Sequence, residues 1–161
     1  MTTEERIVHL CIDRKLKITC AESCTGGLLA ARLVSVAGAS ECFERSFVTY
    51  SDMAKHEELL VSLDTLSKWT AVSEQAAREM AMGARKRARA DIALSVTGYA
   101  GPDSGNGETV GLVYIGCAEP DRVFVKRQLF LGERNEIREQ AAERALEIAE
   151  KVLLKETVKK C

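Results

Sequence analysis

Asp91-Ile92-Ala93-Leu94-Ser95-Val96 is the most nearly continuous apolar run in the chain, as expected of a strand covered on both faces. A strand of that kind needs helices above and below it, so this run constrains the fold more than any other segment. The flanking periodicities supply them. Ala76, Ala77, Met80, Ala81 and Ala84 make a small-residue helix face between a Ser73-Glu74 start and Ala90. Ile7, Val8, Leu10, Cys11 and Leu16 predict an amphipathic helix over about Thr3 to Lys15.

Lys17-Ile18-Thr19-Cys20 alternates with strand period, and Leu28, Leu29, Ala31, Leu33 and Val34 predict a helix from about Thr25 to Val36. Phe43 to Tyr50 alternates large apolar and polar residues, the pattern of a half-buried strand. Ser51 or Asp52 can cap a short helix through Leu60, and Asp64 to Trp69 reads as a further helical turn. Val110 to Ala118 and Arg122 to Leu131 are strands joined at Glu119-Pro120-Asp121 as an antiparallel hairpin, and a helix from about Glu133 to Thr157 closes the chain. Helices alternate with strands until the hairpin breaks the parallel order. The expected class is a three-layer α/β domain on a mixed sheet.

At 161 residues the chain suits one domain with one core, and charged residues at 29% against 46% hydrophobic describe a soluble globular protein. A formal net charge of -1 gives no nucleic-acid footprint. The basic run Arg85-Lys86-Arg87-Ala88-Arg89 falls at a helix end, where it complements the macrodipole. No apolar run approaches the roughly 20 residues that span a bilayer, so no membrane partner is expected. The polar start Met1-Thr2-Thr3-Glu4-Glu5-Arg6 does not read as a signal peptide. The six cysteines (Cys11, Cys20, Cys24, Cys42, Cys117 and Cys161) are therefore expected as free thiols in a reducing cytoplasm. With no C-x-x-C pair and only His9 and His56, a structural zinc site is poorly supported.

Ala21-Glu22-Ser23-Cys24-Thr25-Gly26-Gly27 stands between a strand signal and a helix signal. Ser23 would sit at the turn, with the N–H groups of Cys24, Thr25, Gly26 and Gly27 free at the helix start to meet negative charge. A hydroxyl nucleophile and an anion hole would then be adjacent; an ordinary capped helix would show the same residues. If the strands ending at Ser23, Tyr50-Ser51 and Thr97-Gly98 are parallel neighbours, Ser23, Tyr50 and Thr97 meet at one sheet edge, with Lys55 one helical turn beyond Tyr50. Lys55 serves as a base only if desolvation or nearby positive charge keeps it neutral. Cys24 is the rival nucleophile, its thiolate favoured at a helix N-terminus. Gly98, Gly101, Gly105 and Gly107 give a loop the freedom to form an anion nest. Arg134 and Arg138 can grip a phosphate or pair with Glu133, Glu136 or Glu139.

Four stretches stand in one order: Ala21 to Gly27; Phe47-Val48-Thr49-Tyr50-Ser51 with Lys55; Ala71-Val72-Ser73 with Met80-Ala81-Met82-Gly83; and Thr97-Gly98-Tyr99-Ala100-Gly101-Pro102-Asp103. Together with Val110-Gly111, Gly132-Glu133-Arg134 and Ile137-Arg138 they resemble the C-terminal domain of CinA (competence/damage-inducible protein) and the stand-alone nicotinamide mononucleotide deamidases. The resemblance implies a three-layer α/β/α sandwich on a mixed, mostly parallel five-stranded sheet, filled by residues 1–161 as a single domain without the molybdopterin-binding-like domain of the full-length family. It implies an amidohydrolase that converts nicotinamide mononucleotide and water to nicotinate mononucleotide and ammonia in pyridine nucleotide recycling, with no cofactor or metal. Carried over by motif, Ser23 is the nucleophile, Lys55 the base, Tyr50 an aid to proton transfer or to the lysine's orientation, and Thr97 a group that binds or orients the reacting atoms. Thr25, Gly26, Gly27, Gly98, Ala100 and Gly101 would surround the substrate, and the family arginine maps to Arg134 or Arg138. Relatives of this kind suggest a homodimer. Where many relatives carry Lys-Pro before Val110-Gly111, this chain has Glu108-Thr109. A non-catalytic nucleotide-binding module and a Cys24-dependent hydrolase are the competing readings.

Overall fold

In chain order the elements are α1 (Thr3–Arg14), β1 (Ile18–Glu22), α2 (Leu28–Val34), a single 3-10 turn (Ala39–Glu41), β2 (Phe47–Val48), α3 (Asp52–Leu59), α4 (Leu63–Trp69), α5 (Glu74–Ala88), β3 (Ile92–Gly98), β4 (Leu112–Ala118), β5 (Val123–Leu129) and α6 (Arg134–Lys159). The computed structural model describes residues 1–105 and 107–159, with side chains described through Lys155. Cys161, expected as a free thiol, lies outside the described residues.

The sheet order is β2-β1-β3-β4-β5. β1 pairs in parallel with β2 and β3, and β4 is antiparallel to both β3 and β5, so four strands point one way and β4 the other. This is the mixed, mostly parallel sheet expected. Helices α1, α2 and α6 cover one face through a core that includes Ile7, Leu29, Leu33, Ile137 and Leu146. On the other face α5 lies across β1, β3 and β4, backed by α3 and α4. The two faces of β3 differ in side-chain size: Ile92, Leu94 and Val96 point to the α6 layer, and Ala93 to the α5 layer. Ser95 is fully buried; its hydroxyl donates to the Ala77 carbonyl at 2.6 Å and accepts from Gly116 N–H at 3.1 Å. Small residues on both sides let the backbone of α5 approach the sheet closely.

Serine caps start α3, α4 and α5, with Ser51, Ser62 and Ser73 accepting from the N–H of the third residue of each. Ser51 rather than Asp52 is therefore the cap of α3. The basic run expected at a helix end is the last turn of α5 and its left-handed cap at Arg89.

Two expectations are corrected. The strand expected over Phe43 to Tyr50 shrinks to Phe47–Val48, because this edge segment finds ladder partners only at Ala21 and Glu22. Upstream, the Arg45 carbonyl is met by the Thr19 hydroxyl at 2.7 Å instead of a strand amide. The helix expected from Thr25 starts at Leu28, since Gly26 and Gly27 have φ of 57° and 109°, incompatible with a right-handed helix. Among the described residues no helix is long and apolar enough to cross a membrane.

Candidate active site

The three parallel strands deliver their carboxyl ends to one edge of the sheet, and Ser23, Tyr50 and Thr97 lie there, the condition of parallel neighbouring strands being met. They line a cleft of about 250 Å³, with Lys55 and Arg134 completing its walls. Lys55 enters from α3, one turn beyond the Ser51 cap, its N–H donating to the Ser51 carbonyl at 3.1 Å.

Lys55 is 1% exposed, the largest side chain among the described residues to be so fully buried. Its Nζ is 3.0 Å from Ser23 Oγ and 2.8 Å from the Thr49 carbonyl oxygen. No carboxylate stands within ion-pair distance of it among the described residues. Burial pushes its pKa below the ordinary lysine value, and the more distant charge of Asp52 only partly opposes this. Nζ donates to both oxygens. In its neutral form the amine would have a lone pair to turn toward the Ser23 hydroxyl proton.

The anion hole expected at the start of α2 is already filled. Glu22, wholly buried at the end of β1, accepts from Gly27 N–H (3.2 Å) and Leu29 N–H (2.9 Å) on one oxygen and from Ala30 N–H (3.2 Å) on the other. The Gly26 N–H closes back on the Ser23 carbonyl at 3.1 Å. Of the four peptide N–H groups read as free, those of Cys24 and Thr25 alone have no partner in another described residue. The positive end of the helix therefore holds a side chain of the protein itself, and that side chain fixes the turn that presents Ser23.

The sequence matches the CinA C-terminal domain over residues 1–153. The chain belongs to the CinA C-terminal domain family. It is similar to the nicotinamide-nucleotide amidohydrolase PncC of Enterobacter agglomerans, 51% identical over 140 residues that make up 86% of this chain and 85% of that protein. It is 47% identical to a CinA-like protein of Kosmotoga olearia over 152 residues, 94% of this chain but 37% of that protein. The chain thus spans little more than a third of several of these relatives. A crystal structure of a CinA superfamily protein from Klebsiella pneumoniae superimposes with a TM-score of 0.91 at 35% identity, covering 96% of this chain and 99% of that one.

Within this CinA domain the two arginines part. Arg134 lines the cleft and donates to the Gly101 carbonyl at 2.6 Å and to the Tyr50 hydroxyl at 3.1 Å. Arg138 reaches the turn after Ser23, donating to the carbonyls of Cys24 (2.9 Å) and Thr25 (3.1 Å) and to Asn135 Oδ1 (3.0 Å). One faces the cleft and the other braces the loop behind it. Gly98, Ala100 and Gly101 line the cleft, while Thr25, Gly26 and Gly27 stand outside its lining. Tyr50 is 64% exposed at the rim, engaged by Arg134 and not by Lys55. The Thr97 hydroxyl donates to the Ala71 carbonyl at 2.8 Å and so fixes the wall formed by Ala71 and Val72.

Cys24 lines the cleft, but burial pushes its thiol up to about 11, the reverse of the activation expected at a helix start. His56 is held by the Val61 carbonyl at 2.8 Å from Nδ1. Sequence reasoning assigned no role to Glu22, the Thr49 carbonyl or Asp103 and read Asp52 only as a possible helix cap, though Asp52 and Asp103 line the cleft. An acidic residue just ahead of a Gly-Gly break and a helix was the available signal for Glu22. Among the described residues no cluster of three or more His, Cys, Asp or Glu side chains could hold a metal ion.

Proposed function

We propose that this chain hydrolyses the carboxamide of nicotinamide mononucleotide to the carboxylate and ammonia, with Ser23 as nucleophile and Lys55 as its base. The observation that carries the reading is a buried lysine amine 3.0 Å from a serine hydroxyl, with its pKa lowered by burial. The similarity to PncC, a nicotinamide-nucleotide amidohydrolase 51% identical to this chain, supports the choice of substrate.

In this scheme Lys55 takes the Ser23 proton as Oγ attacks the carboxamide carbon. The oxyanion that forms meets the N–H of Cys24, which follows the nucleophile and has no other residue as partner. The C–N bond then breaks, and the Lys55 ammonium gives its proton to the departing ammonia. Water repeats the sequence on the acyl-enzyme: Lys55 removes its proton, the hydroxide attacks, and Ser23 leaves and is reprotonated. Arg134, at the cleft mouth, is the cation offered to the substrate phosphate. Thr97 keeps the Ala71-Val72 wall in place, and Tyr50 positions Arg134.

Ammonia release from nicotinamide mononucleotide by purified wild type, Ser23→Ala and Lys55→Ala tests the reading, with folding checked by circular dichroism. Turnover by the wild type that falls at least about 1,000-fold in both variants is expected. A folded wild type that binds the nucleotide without releasing ammonia would overturn it in favour of a regulatory module.

A further inference from the structure

On the side of the sheet that faces α6, β5 and α6 flank a groove of about 400 Å³ whose walls carry Arg122, Lys126, Arg144, Lys151 and Lys155 and, among the described residues, no acidic residue. Phe124, Ile148 and Val152 form its apolar floor. Arg122 and Lys126 stand 4.9 and 5.8 Å from the centre of the Phe124 ring. Only two of the five cations have acidic partners: Arg122 pairs with Glu119, and Arg144 reaches Glu147 at 3.4 Å. Lys126, Lys151 and Lys155 form no ion pair among the described residues. In a chain whose net charge is -1, this is a local concentration of unneutralised positive charge. Complementing the negative end of α6 would explain Lys155, but not Lys126 on β5 or Arg122 just before it.

We infer that this groove binds a compact polyphosphate anion of the nucleoside di- or triphosphate class. The heads of Arg122 and Lys126 both lie within about 6 Å of the centre of the Phe124 ring between them, and Lys151 and Lys155 are about 6 Å apart along the helix axis, so cations on both walls can engage a short row of phosphoryl groups. The floor of Phe124, Ile148 and Val152 offers apolar contact for the attached nucleoside. A long polyanion fits less well at the hairpin end, where Glu119 pairs with Arg122 and Asp121 precedes it in the chain. The site is separate from the cleft. Arg144 lies ten residues, about 15 Å, along α6 from Arg134.

Calorimetric titration of the full chain with adenosine triphosphate, inorganic tripolyphosphate and a 20-nucleotide single strand tests the assignment without requiring turnover. Adenosine triphosphate is expected to bind one-to-one, more tightly than tripolyphosphate. The doubly substituted Lys126→Glu/Lys151→Glu chain, and the milder Lys126→Gln/Lys151→Gln chain, should bind it at least about tenfold more weakly, with hydrolysis of nicotinamide mononucleotide unchanged. Absence of binding at millimolar nucleotide would overturn the proposal, as would binding retained by both double variants. Loss of nucleotide binding in Arg134→Ala would move the ligand to the cleft, and tighter binding of the oligonucleotide than of the nucleotide would assign the groove to nucleic acid instead.

Discussion

Replacing Glu22 with Gln removes one charge from the middle of the fold without changing side-chain size, and its cost can be worked from the three bonds it makes. An amide oxygen in place of Oε1, which accepts two hydrogen bonds, can still accept from Gly27 and Leu29, but the new NH2 group faces the Ala30 N–H, donor against donor. A buried donor left without its acceptor costs about 1–3 kcal/mol, and loss of a buried charge from a helix start adds about 0.3–2 kcal/mol. The sum, about 3 kcal/mol, is a large share of the roughly 5–15 kcal/mol that stabilises a domain. It should lower Tm by about 6–12 °C in a chain of this length. Because Ser23 follows Glu22 directly, kcat should fall by about tenfold or more in chain that is still folded, with KM nearly unchanged, since the cleft wall that meets the substrate is intact. Urea unfolding followed by circular dichroism, with kinetics well below Tm, reads both effects. A stability loss under about 0.5 kcal/mol with unaltered kcat would show that the carboxylate is neither the cap nor the support of the turn.

Gly83→Ala would set a Cβ 1.8 Å from the Leu59 carbonyl oxygen where α3 crosses α5, so a loss of about 2–3 kcal/mol and a Tm about 5–10 °C lower are expected in thermal unfolding. Cys24→Ala should retain ammonia release within about threefold, the thiol being raised to about 11; a folded variant without activity would revive the thiol hydrolase. Arg134→Ala should raise KM by about 10–100-fold through loss of a charge-assisted bond, whereas Arg138→Ala should lower kcat and Tm together, because it releases the Cys24 and Thr25 carbonyls. Equal KM effects from the two would contradict their separate placement.

The layers and the sheet were legible because they follow from local pattern: the run at Asp91 to Val96 named its central strand, and the short turn at Glu119-Pro120-Asp121 named the antiparallel hairpin. The meeting of Ser23, Tyr50 and Thr97 followed from a rule about strand ends in α/β sheets. What the sequence concealed depends on contacts far apart in the chain. Arg134 and Arg138 lie one turn apart on α6, and no periodicity says that one will meet Gly101 and the other Cys24 and Thr25. Lys55 shows the same limit, since its burial depends on β1 and β2 closing over a helix that itself looks polar. The late start of α2 was closer to hand: two consecutive glycines before an apolar stripe can end a turn as readily as begin a helix.

The charge environment of Lys55 leads to a further test, because the lowering of its pKa has burial as its first cause, not a neighbouring cation. The folded form disfavours the ammonium, so a proton is released on folding wherever the pH lies between the lowered pKa and the unfolded value near 10.5. In that window stability rises with pH, by up to about 1.4 kcal/mol per unit, and below it the penalty is constant. Lys55→Met, which keeps the bulk and removes the charge, should therefore be more stable than wild type at low pH, with the gap closing as the pH rises. Catalysis needs the neutral amine, so kcat/KM should rise through the same lowered pKa and level off above it. A bound pyridinium ring would add positive charge beside the amine and depress its pKa further, which places the rise in kcat at lower pH than the rise in kcat/KM. Profiles in which kcat rises at the higher pH would mean that the substrate cation does not act on Lys55, and a Lys55→Met chain less stable than wild type at every pH would mean that burial of the amine is not a cost to the fold.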